Sequence, residues 1–127
     1  MIKTPLSPTY AKPNGVLVYD ANLPVPDGYS LSSFVTLPAG AFAGNHTHPR
    51  QEIFICHQPD VFLHWTDSAG NKHTDAFVSS EGRATMYTIP PHVPHAIVNG
   101  SNAPAMLIEY ADGPQTNVQP AQVMEVA

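Results

Sequence analysis

The chain has a single cysteine, Cys56, in 127 residues. No internal disulfide and no multi-cysteine zinc cluster can be built from it. Charge is scarce as well. Asp, Glu, Lys and Arg make up 12% of the residues, with 5 basic against 10 acidic side chains and a formal net charge of −5. That is about half the usual charged share. Without a basic run, the chain lacks the electrostatic footprint of a nucleic-acid binder. Its apolar runs are far too short to span a bilayer, so no membrane association is expected. Met1-Ile2-Lys3-Thr4-Pro5 carries no apolar signal core, and a reducing cytoplasmic setting is the expectation. Helical signals are missing too: no window shows a capped apolar stripe at helical spacing. Low charge does not mean disorder here, because 43% of the residues are hydrophobic. That suffices for one core in a single domain over residues 1–127.

What the chain has in excess is proline, 14 residues, and histidine, 7. The prolines disfavour long helices and punctuate the chain. Residues 1–14, with Pro5, Pro8 and Pro13, are expected to form an extended N-terminal arm. Residues 113–127, uncharged apart from Glu125, form a tail, either ordered against a partner subunit or frayed. Strands are predicted over Val16–Tyr19, Tyr29–Leu37, Gln51–His57, Val61–Thr66, Lys72–Val78, Ala84–Ile89, His95–Asn99 and Ala105–Ala111. A loop is expected over Asn22–Gly28 and a hairpin turn over Asp67–Asn71. Short strands at near-regular spacing predict an all-β sandwich or barrel, and a jelly roll matches this size.

Two segments carry chemistry. In Gly44-Asn45-His46-Thr47-His48-Pro49-Arg50-Gln51-Glu52 the histidines stand two apart and share one face of a strand. Glu52 keeps that parity if the chain stays extended through Pro49. In Ile89-Pro90-Pro91-His92-Val93-Pro94-His95 a stiff turn delivers His95 to the start of a strand. Neutral imidazoles supply nitrogen lone pairs, and a carboxylate offsets a cation's charge. His46, His48, Glu52 and His95 are therefore the predicted ligands of one divalent transition metal: Fe, Mn, Ni, Zn or Cu. Two positions of an octahedral ion would stay open to water or substrate.

These segments resemble the motifs of the cupin superfamily. Gly40, His46, His48 and Glu52 match the first motif, and Pro90, His95 and Asn99 match the second. The resemblance covers about residues 29–111 and implies a cupin-type jelly-roll β-barrel with the metal inside. Pro59, His92 and Ala84 stand where the family usually has glycine, which bears on loop shape rather than on the ligands. Gly44–His48 and Ile89–Pro91 also look like cupins of nucleotide-sugar and capsular-polysaccharide pathways. The implied function is a metalloenzyme acting on a small oxygenated, sugar-like substrate by isomerase, epimerase or lyase chemistry. The alternatives are a non-haem iron dioxygenase and a non-catalytic sugar- or metal-binding module. A homodimer is expected, because small jelly rolls have sheet edges to cover.

The remaining polar residues receive plainer readings. His92 is a turn residue, with a general acid–base role at the barrel mouth as the alternative. His57, His64 and His73 are surface or hairpin residues. Cys56 is a buried, inert thiol. Asn99 is a structural hydrogen-bonder, and Glu109, between apolar Ile108 and Tyr110, is expected to face outward.

Overall fold

The computed structural model describes residues 1–19 and 23–123. Asn22 of the expected loop and Glu125 of the tail lie outside the described residues. Twelve strands follow one another among the described residues: β1 (Ile2–Pro5), β2 (Tyr10–Ala11), β3 (Leu17–Val18), β4 (Ser30–Leu37), β5 (Phe42–Thr47), β6 (Glu52–Cys56), β7 (Val61–Thr66), β8 (Lys72–Ala76), β9 (Thr85–Ile89), β10 (His95–Asn99), β11 (Ala105–Ala111) and β12 (Gln119–Pro120). They form two five-stranded antiparallel sheets and a small β2–β3 pair. The first sheet runs β1-β9-β6-β11-β4 and the second β12-β5-β10-β7-β8. This is a jelly roll, all strand, as predicted. None of its elements is a helix long and apolar enough to cross a membrane.

The core lies between the sheets. Phe54 and Cys56 of β6, Leu63 of β7, Tyr87 and Ile89 of β9, Ile97 of β10 and Leu107 of β11 meet there. A second cluster covers the other face of the first sheet. Ile53, Ile55 and Met86 pack there under Leu6, Tyr19, Leu23, Val25 and Tyr29. This double cover explains why β6 and β9 are buried along their whole length, as near-continuous apolar strands should be.

Two expectations about the ends are corrected. Ile2–Pro5 of the arm is a strand on β9 of the same chain, and Pro5 sits where an edge strand tolerates it. Gln119–Pro120 of the tail pairs with Thr47 and His46 of β5. The strand count also exceeds the eight predicted. The strand missed nearest the site is β5, whose Gly44 and Asn45 both take positive φ, 91° and 67°. Gly44 needs its bare Cα, since a Cβ there would lie 2.9 Å from the His95 carbonyl oxygen. The Asp67–Asn71 turn forms as expected: the Asp67 carboxylate accepts from the backbone N–H of Ala69 and of Asn71.

Candidate metal centre

His46 and His95 face each other across the β5–β10 pair, where they are register partners. β10 begins at His95, as the proline turn predicts. His48 follows the end of β5, and its carbonyl accepts from the His92 N–H at 2.9 Å, which ties the two motif segments together. The three rings meet edge to face with centroids 5.0, 5.0 and 4.9 Å apart. One nitrogen from each lies within 4.8 Å of the others.

Glu52 reaches this point by a different route from the one expected. β5 ends at Thr47 and β6 begins at Glu52 in the opposite sheet. The extended parity does not persist through Pro49; the chain crosses between sheets there. Glu52 nonetheless meets the rings. Its Oε1 lies 2.8 Å from His48 Nε2 and 3.3 Å from His95 Nε2.

Backbone carbonyls orient two of the rings. His48 Nδ1–H donates to Arg50 O at 3.1 Å, and His95 Nδ1–H donates to Val93 O at 2.8 Å. A carbonyl only accepts, so both Nδ1 atoms carry protons and both Nε2 atoms point at the shared centre. In the neutral tautomer each Nε2 then offers a lone pair. This donor set, three imidazole nitrogens with a carboxylate oxygen beside them, fits a divalent transition metal.

Arg50 is the functional residue that sequence reasoning missed. Its Nε and Nη2 donate to Glu52 Oε2 at 2.9 and 2.6 Å. The same Nη2 donates to Glu109 Oε1 at 3.0 Å, and Nη1 donates to Gly113 O at 3.2 Å. One guanidinium thus holds two carboxylates and leaves Glu52 Oε1 to the histidines. Glu109 is also corrected: it is 7% exposed and faces the interior, where Ser33 Oγ donates to its Oε1 at 3.0 Å. Its inward parity is shared with Ala105, Leu107 and Ala111.

The titration of these groups follows from their neighbours. Burial pushes His46 down to about 4, helped by repulsion from His95 and His48. Burial also opposes a charged His48, but its bonds to Glu52 outweigh that and raise it. Burial likewise penalises Glu52 ionisation, yet hydrogen bonds from His48, His95 and Arg50 hold its carboxyl well below the usual range. Glu52 is thus an ionised carboxylate hydrogen-bonded to a readily protonated His48.

Beside the rings is a cavity of about 70 Å³, lined by His46, Glu52, His95, Glu109 and Gln115 among polar residues and by Val35, Phe54, Ile97 and Leu107. Asn99 stays out of it. Its Nδ2 donates to the carbonyls of Leu37, Pro38 and Ala103, and its Oδ1 accepts from Ser101. His92 is an exposed turn residue at φ 63°. His73 stacks on Trp65 and bonds Asp67, and His64 bonds Thr74. Cys56 is buried at 1% exposure.

No family model matches the chain, and no curated protein matches it in sequence. Solved structures do. The capsular polysaccharide assembling protein CapF from Staphylococcus aureus is 18% identical at a TM-score of 0.61, over 71% of this chain and 26% of that one. An oxalate oxidase is 16% identical at 0.59, over 73% and 46%. A cupin 2 domain-containing protein from Halorhodospira halophila is 14% identical at 0.55, over 95% and 70%. The chain thus spans about a quarter of CapF and about half of the oxalate oxidase. At these identities the likeness is one of architecture, and the fold of this chain is that of the cupin superfamily.

Proposed function

We propose that the chain is a metal-dependent enzyme acting on a small oxygenated molecule. His46, His48, His95 and Glu52 would hold one divalent transition metal. The observation that carries this reading is the convergence of three imidazole nitrogens within 4.8 Å, two of them oriented from behind by carbonyls. Such a metal, when bound, supplies Lewis acidity to substrate oxygens.

The rest of the chemistry belongs to the chain's own residues. Arg50 fixes Glu52 through Oε2, so Oε1 alone faces the ligand position. Val35, Phe54, Ile97 and Leu107 give the cavity a dry wall. Glu109, inside the cavity and bonded through Oε1, is the carboxylate placed to take or return a proton. Charge also bears on the substrate. Glu52 and Glu109 against Arg50 sum to −1, so a dication leaves the site at +1 and favours an anionic oxygen ligand. Another oxalate oxidase structure similar to this chain, 14% identical at a TM-score of 0.57, holds glycolate. Its small hydroxy acid suits a cavity of about 70 Å³. Isomerase, epimerase or lyase chemistry on such a compound is the first reading. Likeness to an oxidase favours oxygen-dependent chemistry as the second, and iron dependence with oxygen uptake distinguishes it.

The test is the metal content of protein purified without added metal, measured by elemental mass spectrometry beside His48→Ala. The expected result is about one metal per chain, lost in the variant. Wild type that stays metal-free after reconstitution overturns the reading. We further propose a homodimer. Leu31, Phe34 and Met106 are 51%, 62% and 51% exposed on the outer face of β4 and β11, a large apolar group for a monomer's surface. A monomer by light scattering removes this proposal.

A further inference from the structure

We propose that the segment Gly113–Val123 is a latched strap over the histidine cavity, and that it presents Gln115 as a residue that recognises the bound ligand. The strap leaves the first sheet after β11 and joins the second at β12, beside β5. It therefore crosses from one sheet to the other at the end of the barrel that carries the histidines. Both ends are tied to the site itself. Gly113 O accepts from Arg50, the residue that clamps Glu52. Gln119 and Pro120 pair with Thr47 and His46. Past them, the Ala121 N–H donates to Asn45 O at 3.0 Å and the Val123 N–H to Asn45 Oδ1 at 2.8 Å. Val123 is buried at 3% exposure, whereas the strap from Gly113 to Pro120 lies exposed.

That combination describes a latch. A few hydrogen bonds and one buried side chain hold a segment with little packing of its own, and such segments open locally without global unfolding. The strap carries no charged residue from Gly113 to Val123. Its Gln115 lines the cavity together with Glu52 and Glu109. A primary amide offers both a donor and an acceptor, which suits a hydroxyl or carboxylate oxygen. With the strap in place the cavity has about 70 Å³, room for several waters or a small acid such as acetate. A sugar-sized ligand would displace the strap.

The strap itself is tested on metal-free full-length protein, so that this test does not depend on the metal reading. Wild type, Val123→Ala and Val123→Asp are treated with diethyl pyrocarbonate. Labelling of His46, His48 and His95 is followed by peptide mass spectrometry against the exposed His57. The expected result is faster labelling of the three site histidines, roughly fivefold or more in Val123→Asp and less in Val123→Ala, with His57 unchanged. Equal site labelling in wild type and both variants overturns the strap. If Val123→Asp also leaves the buried Cys56 open to a thiol reagent, it has unfolded, and Val123→Ala decides. The role of Gln115 rests on the metal reading and is tested with Co²⁺-loaded protein titrated with acetate by visible absorption. Gln115→Ala should weaken acetate binding about fivefold, the size of one hydrogen bond, with Co²⁺ uptake intact. Equal acetate affinity overturns that role. Wild type that takes up no Co²⁺ overturns the metal reading and the Gln115 role with it, while the labelling still decides the strap.

Discussion

Replacing Arg50 with methionine should be among the most damaging single changes near the site. The guanidinium is 11% exposed, and it makes three bonds to carboxylates that are 2% and 9% exposed. Arg50→Met keeps the length of the side chain and removes the cation. Glu52 and Glu109 are then left facing each other's charge in a buried site. Removing one partner of a buried pair costs about 3–5 kcal/mol, because the other charge stays buried. A domain of this size has a stability of about 5–15 kcal/mol, so the variant loses a large part of it. The melting temperature should fall by roughly 10–20 °C, at a few degrees per kcal/mol. The assay is urea unfolding of metal-free protein at pH 7 and pH 5. The pH comparison identifies the cause. In the wild type, Glu52 stays ionised far below the usual range. In the variant Glu52 keeps His48 and His95 and Glu109 keeps Ser33, but both have lost the guanidinium, and a buried carboxylate without its cation escapes its penalty by taking a proton. The difference between variant and wild type should therefore shrink from pH 7 to pH 5. A loss under about 1 kcal/mol, well below that expected of a buried pair, would refute the reasoning. So would a loss that does not change with pH.

Gly44→Ala should cost about 1–3 kcal/mol, since the added Cβ meets the His95 carbonyl at 2.9 Å and the residue sits at φ 91°; an unchanged unfolding midpoint contradicts this. Cys56 should resist a thiol reagent until the protein unfolds, because it is buried and burial pushes its thiol up. Metal-free protein should lose stability as pH falls from 6.5 towards 4. Over that range the unfolded chain binds a proton at His46 that the folded chain, held down to about 4, refuses. His48 acts in the other direction: its contribution is complete below 6.5 and is lost as pH rises through its raised value. Thermal melts across pH 4–9 should show both slopes.

The convergence of His46, His48 and His95 could be anticipated because their spacing and the proline turn are local features. His95 opens β10 where the turn ends, and the strands β7, β10 and β11 keep their expected limits. The route of Glu52 was not local. It depends on which sheet β6 joins, and one-strand parity cannot report that. β5 was hidden by Gly44 and Asn45, whose positive φ angles defeat any reading of strand propensity; pairing with β10 forms the strand in spite of them. Glu109 was misplaced for a physical reason. Both faces of β11 are apolar, since Leu107 faces the inner core and Ile108 and Tyr110 pack with the outer cluster. Alternation therefore gave no inward direction. Arg50 was missed because its bonds to Glu52, two residues on, need the crossing between sheets, and its other partners are long-range: Glu109 lies 59 residues away and Gly113 lies 63 away.

The candidate ligands bond one another and nearby carbonyls, and the core of the barrel is built from other residues. No buried side-chain nitrogen or oxygen among the described residues lacks a hydrogen-bond partner. The inward nitrogens of His48 and His95 meet Glu52 Oε1, so a proton at His48 can balance this carboxylate where no cation does. The core of Phe54, Leu63, Tyr87, Ile97 and Leu107 contains none of the candidate ligands. A chelator should therefore strip the metal without unfolding the protein, whereas small domains built around structural zinc unfold when it is removed. Metal should add stability only by mass action, about 2.7 kcal/mol when free metal is one hundred times the dissociation constant. Differential scanning fluorimetry against free Zn²⁺ should give a single cooperative transition at zero metal that moves smoothly upward. Loss of the cooperative transition on chelation would mean that the metal builds the barrel, and that the hydrogen bonds between Glu52 and its histidines do not hold the site together alone.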